Sequence, residues 1–200
     1  MTIALRGYEL AVTAMAHIEL DPASWDQAVW GKAATTDTGR LTSDGDSPPV
    51  DPLLAVDACG SSFCFFGWSV LLAGKKLNWS RRNVFDEKVT WMADCAGDDE
   101  TSIGFVAREL LELDDRNIYE PQRLSESTNT LPQLYRLLAE MYGVKKGDLR
   151  RAVMRRMEEI VQARLAELNK KLRADGKPTF EGSEASRIAR EAQLEASGER

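Results

Sequence analysis

The sequence predicts a mainly α fold: a compact helical domain around a buried central helix, with a short β-hairpin and an appended C-terminal amphipathic basic helix. Three observations predict it. Phe63 to Ala73 is apolar on every side, with Phe63, Phe65, Phe66, Trp68, Val70, Leu71 and Leu72 spread around the turn, and a helix without a polar face has to be surrounded by protein. Four other stretches space their apolar residues three and four apart, as one-sided helices do. Val84-Phe85 and Val89-Thr90-Trp91 are β-favouring runs around Asp86-Glu87-Lys88, which reads as a hairpin.

In chain order, Ile3 to Leu20 reads as a helix with the stripe Leu5, Tyr8, Val12 and Met15, ended at Asp21-Pro22 because proline disfavours α geometry in the residue before it. A Trp-rich segment, Ser24 to Trp30, follows. Gly31 to Pro52 is polar, rich in Thr, Asp, Gly and Pro, and is expected to be a mobile or partner-contacting loop. Ser61 or Ser62 is placed to cap the central helix, and Gly74 to close it. Ser102 opens a helix through Val106, Ala107, Leu110, Leu111 and Leu113. Thr130 opens another, with Pro132 in its first turn, Leu134, Leu137, Leu138 and Met141 on one face, and Gly143 at its end. Residues 1–144 thus form the helical domain. Residues 145–173 form the basic helix, and 174–200 an Ala/Glu/Ser-rich tail that is disordered or weakly helical.

Along the basic helix Leu149, Val153, Met157 and Ile160 make one stripe, and Val161, Leu165, Leu168 and Leu172 a second with heptad-like 4-3-4 steps. The two are out of phase: Met154 and Glu158 occupy the earlier positions of the second seam. That drift fits a helix laid on a surface better than an extended coiled coil.

Composition narrows the function classes. The 200 residues are 43% hydrophobic and 29% charged, which is globular usage. The longest apolar run falls well short of the ~20 residues of a membrane span. Met1 to Arg6 lacks a basic stretch leading into an apolar one, and three cysteines cannot all pair, so a reducing cytoplasm is expected. The net charge of −6 is unevenly spread: Met1 to Val144 holds 12 Lys+Arg against 22 Asp+Glu, and Lys145 to Arg173 holds 10 against 4. An acidic body therefore carries a basic arm. The arm either lies against an acidic surface, its own or a second copy's, or binds an anionic partner.

Candidate chemistry is sparse. Cys64, in the first turn of the central helix, is placed where free amides and the helix dipole lower a thiol pKa, and His17, the only histidine, is its only candidate base. Against this, Cys64 is flanked by phenylalanines, where cysteine acts as a small hydrophobe, and His17 falls off the stripe of its helix. Cys59, Cys64, Cys95 and His17 contain the types of a Cys₃His zinc set, but with only a C-x₄-C spacing; three reduced thiols are the plainer alternative. Gly67 to Lys76 does not have phosphate-loop spacing, Asp44, Asp46 and Asp51 do not follow a calcium-loop pattern, and no G-x-S-x-G is present. No cofactor is expected. Arg150, Arg151, Arg155 and Arg156, followed by Lys170 and Lys171, are the candidate partner-binding residues. Phosphate neutralisation needs such a cluster, yet Glu158, Glu159 and Glu167 interrupt it and no aromatic residue from Lys145 to Arg173 is present to stack on bases.

Ala16-His17-Ile18-Glu19, Trp25-Asp26-Gln27, the run Cys64 to Gly74 and Val106 to Leu113 together resemble a group of small uncharacterised proteins of actinobacteria and their bacteriophages. In that group an AHIE…WDQ segment precedes a C-F-A-G-W-A-x-x-L-A-G helix and an A-x-x-L-L-G-L helix. The likeness covers roughly Leu5 to Val144. This chain departs from it in Phe66, where a small residue is usual, in the Thr/Asp/Pro insertion before Cys59, and in the basic arm. The resemblance implies provenance and a mainly helical fold and carries no activity. The expected function is a non-enzymatic interaction protein acting through partner binding or self-association of the arm, with no membrane association; nucleic-acid binding by the same arm is the alternative, and a Cys64-dependent hydrolase the third.

Overall fold

A computed structural model of the protein describes residues 5–35, 62–75, 77–85, 88–96, 101–113, 123–176 and 179–180. The fold is mainly α with a small antiparallel sheet. Helix α1 (Gly7–Leu20) leads through a 3₁₀ turn (Pro22–Ser24) to strand β1 (Gly31–Thr35). Strand β2 (Ser62–Phe63) runs into the central helix α2 (Phe65–Leu72). Then come β3 (Leu77–Phe85), β4 (Lys88–Ala96), β5 (Thr101–Ser102), α3 (Ile103–Leu110), α4 (Leu131–Met141) and the long α5 (Lys146–Ala174). The sheet order is β2-β1-β4-β3, with β5 paired to the far end of β4. Among the described residues, no helix is long and apolar enough to cross a membrane.

Helix α2 is buried as its composition requires: Phe65, Phe66, Trp68 and Val70 are all at or near zero exposure, and so are Gly67 and Ser69 between them. Ser69 survives there because its hydroxyl donates to the Phe65 carbonyl one turn back, at 2.8 Å. Helices α1 and α3 pack on α2, and α5 packs on α1 and α4. The core adds Leu77, Ala93 and Ala96 from the sheet, and Leu149, Val153 and Met157 from the first half of α5. Gly74, at φ +75°, closes α2: its N–H bonds the Leu71 carbonyl and that of Lys75 the Val70 carbonyl, a turn that a Cβ would strain. In α4 the capping pattern is present, with the Thr130 N–H donating to Gln133 Oε1 at 2.7 Å.

Four local expectations are corrected. The first helix starts at Gly7, with Leu5 and Arg6 outside it. The segment read as a polar loop from Gly31 begins with strand β1, whose Lys32 to Thr35 pair with Met92 to Val89; residues 36–52 lie outside the described residues. The hairpin comprises nine residues in each strand, bulged between Asn78 and Trp79 and between Arg81 and Asn83. Its run of polar residues, Ser80-Arg81-Arg82-Asn83, concealed that length. The central helix is capped by Cys64, not by a serine, because Ser62 and Phe63 are drawn into the sheet by pairing with Lys32 and Gly31. Of the tail from residue 174, Ala174 still belongs to α5, and Asp175, Gly176, Thr179 and Phe180 are described; residues 177–178 and 181–200 lie outside the described residues.

Gly67 is required by proximity rather than by backbone angle. A Cβ there would sit 1.8 Å from the Trp30 carbonyl oxygen. On an open helix Gly→Ala stabilises by about 1 kcal/mol; here the backbone clash reverses the sign. Gly67→Ala is expected to destabilise the fold by about 2 kcal/mol or more, read as a lower midpoint in urea unfolding with an unchanged slope.

Candidate functional site

Two regions hold most of the residues that the sequence singles out: the buried start of α2, against which His17 of α1 packs, and α5; Cys95 lies apart, on β4.

At the start of α2 the Trp-rich segment supplies what water cannot. Gln27, itself buried, accepts from the Phe65 N–H at 3.3 Å and from Trp25 Nε1 at 3.1 Å through one oxygen, and donates to the Leu124 carbonyl at 2.7 Å. The Asp26 N–H bonds the Phe63 carbonyl, and the Cys64 N–H the Val29 carbonyl at 2.9 Å. Cys64 Sγ accepts from the Gly67 N–H at 3.4 Å and lies 4.0 Å from the Trp30 carbonyl. The thiol thus serves as an N-cap. Gln27 was missed as a structural centre by sequence reasoning; its place two residues from Trp25, in a segment with few other polar side chains, was the available signal.

The thiol is not activated. Burial pushes Cys64 up to about 11, and the amides of Gly67, Phe66 and Cys64, which act in the opposite direction, do not offset it. The lowering by the helix-terminal amides is present but outweighed, since desolvation of a thiolate at 2% exposure is the larger effect. His17 faces the core, contrary to its place off the Leu5/Tyr8/Val12/Met15 stripe, because α1 is enclosed by α2 and α5 and buried on most of its circumference. Its ring stacks on Trp68 with centroids 5.2 Å apart and planes 24° from parallel. Burial, and secondarily the Arg164 charge, pull it down to about 4, so it is neutral at physiological pH. No hydrogen bond joins Cys64 and His17 among the described residues, so they do not form a nucleophile–base pair there.

Of the zinc candidates, Cys59 lies outside the described residues, and Cys64 and Cys95 are free thiols. Among the described residues no three His, Cys, Asp or Glu side chains gather as a metal site would need.

On α5, Arg156 reaches back to α1, 2.7 Å from Glu9, and also pairs with Glu159 on its own helix at 2.9 Å. Arg151 pairs with Asp148, and Lys170 with Glu167 at 3.9 Å. Arg150, Arg155 and Lys171 are exposed and have no ion pair among the described residues. At 100° per residue Arg150 and Arg155 lie about 140° apart around the helix, so these free cations form no single stripe. The other conspicuous feature is apolar. Met154 is 62% and Leu168 42% exposed, and Val161, Leu165 and Leu172 are half-buried without belonging to the core or its fringe. Beyond the helix, Phe180 is held to Asn169 by two bonds, its N–H to Oδ1 at 2.8 Å and its carbonyl from Nδ2 at 2.9 Å. This clip was not read from the sequence, in which nothing marks Asn169 as a partner of a residue beyond the helix end.

Two outcomes follow from the buried region. Cys64 is expected to resist a thiol reagent at pH 8 in the native protein and to react on unfolding, followed at that residue by peptide mass spectrometry. His17 is neutral when folded down to about pH 4 but takes up a proton near pH 6.5 when unfolded, so its contribution to stability is full above pH 6.5 and falls as pH is lowered towards 4. The loss is about 3 kcal/mol. His17→Phe, which keeps a ring against Trp68, should flatten the pH dependence of the unfolding free energy between pH 6.5 and 4 relative to the unmodified protein.

Comparison with known proteins found no matching family model, no matching curated protein and no matching solved structure.

Proposed function

We propose that the protein is a non-enzymatic interaction protein, an accessory factor of the kind suggested by its resemblance to the small actinobacterial and bacteriophage group, acting in the cytoplasm (the host's, if phage-encoded) through partner binding or self-association of α5. One observation carries this: α5 has a core-facing stripe that anchors it and a second apolar row, Met154, Val161, Leu165, Leu168 and Leu172, left partly exposed. Apolar rows on a helix with basic neighbours are suited to a protein surface. The buried start of α2, with its protonated thiol and neutral imidazole, favours a structural role for the residues that first suggested hydrolysis.

Nucleic-acid binding by the arm is the second reading, favoured by the exposed Arg150 and Arg155, which make no ion pair among the described residues. Their separation around the helix and the internal ion pairs of Arg151, Arg156 and Lys170 weigh against it.

Leu165→Asp with Leu168→Asp is expected to leave the far-UV spectrum and melting temperature within about 2 °C of the unmodified protein, because neither side chain belongs to the core. It should abolish whatever assembly the full chain shows in analytical ultracentrifugation alone or with a purified partner. Charge reversal at Arg150 and Arg155 should leave retention on DNA and RNA unchanged. An assembly indifferent to the leucine changes, or nucleic-acid retention lost on charge reversal, would reject this function.

A further inference from the structure

The two apolar rows of α5 point in different directions. Measured at 100° per residue, Leu149, Val153, Met157 and Ile160 centre roughly 100° away from the row Met154, Val161, Leu165, Leu168 and Leu172. The first row is in the core or packed against it; among the described residues the second is in neither position. From Val161 onward the second row takes the 4-3-4 steps of a seam made for a partner helix. Its flanks are Arg164 and Lys171 on one side and Arg155, Gln162 and Asn169 on the other, with no carboxylate at any of these positions.

We propose, resting on the interaction function above, that this seam is the docking site for an amphipathic helix with acidic flanks contributed by a different protein chain. The charges select that occupant over a second copy. Antiparallel self-pairing sets the basic flank of one copy against the same flank of the other. Parallel self-pairing matches Arg164 with Asn169, which brings no opposite charge, and draws together two bodies that each carry 22 Asp+Glu against 12 Lys+Arg over residues 1–144. A helix with Glu or Asp beside its apolar stripe meets Arg164 and Lys171 along one edge and, on the other, the neutral Gln162 and Asn169 with Arg155 about a turn and a half before Val161, so no edge sets a carboxylate against it. Val161 to Leu172 spans about three turns, so two heptads of the partner suffice. Phe180, clipped to Asn169, borders one edge, and the chain beyond it is the competing occupant that the test has to address.

The test uses the full chain and two fluorescent three-heptad peptides with Leu at the core positions, one with Glu and one with Lys at the flanking positions. In anisotropy titrations at low salt the Glu peptide should bind at least about 10-fold more tightly than the Lys peptide. The gap should narrow at about 0.5 M salt. Leu165→Asp with Leu168→Asp should remove binding of the Glu peptide with the melting temperature unchanged. Equal affinity of the two peptides, or binding that survives the leucine changes, overturns the docking proposal and leaves the interaction function standing. A chain ending at Phe180 that binds the Glu peptide about 10-fold more tightly than the full chain would show the terminal residues to be the occupant, and overturns it too. Self-association in ultracentrifugation with neither peptide bound makes a second copy the occupant. A monomeric chain that binds neither peptide rejects the proposal and the interaction function together.

Discussion

A helix that is apolar on every side begins with amide donors that have no partner within the helix, and in α2 those donors are shut away from water. An unmade bond to a buried amide costs about 1–3 kcal/mol, so the protein has to answer them with its own acceptors. Gln27 takes the amide of Phe65 and Cys64 that of Gly67, while the backbone from Asp26 to Val29 is tied to Phe63 and Cys64. The same need explains why the helix passes so close to Trp30 that only glycine fits at position 67. The Trp-rich segment, the first two strands and the helix start are one unit, in which the Gln27 side-chain oxygen and the Cys64 sulfur hold the helix start.

The acidic body and the basic helix meet through apolar contact first. Leu149 and Val153 are completely buried and Met157 nearly so, and each such side chain stabilises by about 1.5–3 kcal/mol. The Glu9–Arg156 pair, with Glu9 mostly exposed, is of the class that contributes at most about 1 kcal/mol. Apolar burial therefore holds α5 to the body more strongly than this pair does. The first half of the basic arm is part of the core, and among the described residues one ion pair, Glu9–Arg156, joins it to the acidic body.

Much of the fold was legible because it follows from single-residue physics. An all-apolar helix has to be central, Gly74 and Gly143 stop helices in the left-handed region, and Thr130 with Gln133 starts one. What was not legible depends on long-range pairing. The Lys32 to Thr35 strand looks like polar loop because its partner, β4, lies more than fifty residues away in the chain. His17 looks peripheral on its own helix, and only the enclosure of α1 by two neighbours buries it. For Cys64 the sequence exposed both opposing effects, helix-terminal amides and aromatic neighbours, but not their sizes; burial decided it. Gln27 could be seen only as part of a motif, since its partners, Phe65 and Leu124, come from two distant segments.

The phase break along α5 is the most informative irregularity in the chain. A helix with one partner keeps one stripe, and its period sets how that stripe winds. Here the stripe shifts by roughly a quarter of the circumference between the first half and the second. The first half has an evident partner in α1 and α4, whereas the shifted half makes no comparable apolar contact among the described residues. Selection for stability of the isolated domain would favour polar residues at positions 161, 165, 168 and 172, where apolar side chains invite non-specific association. Leucine at three of the four and valine at the first, in heptad steps with uniformly non-acidic flanks, is the arrangement expected of a surface whose burial is completed by something other than its own core.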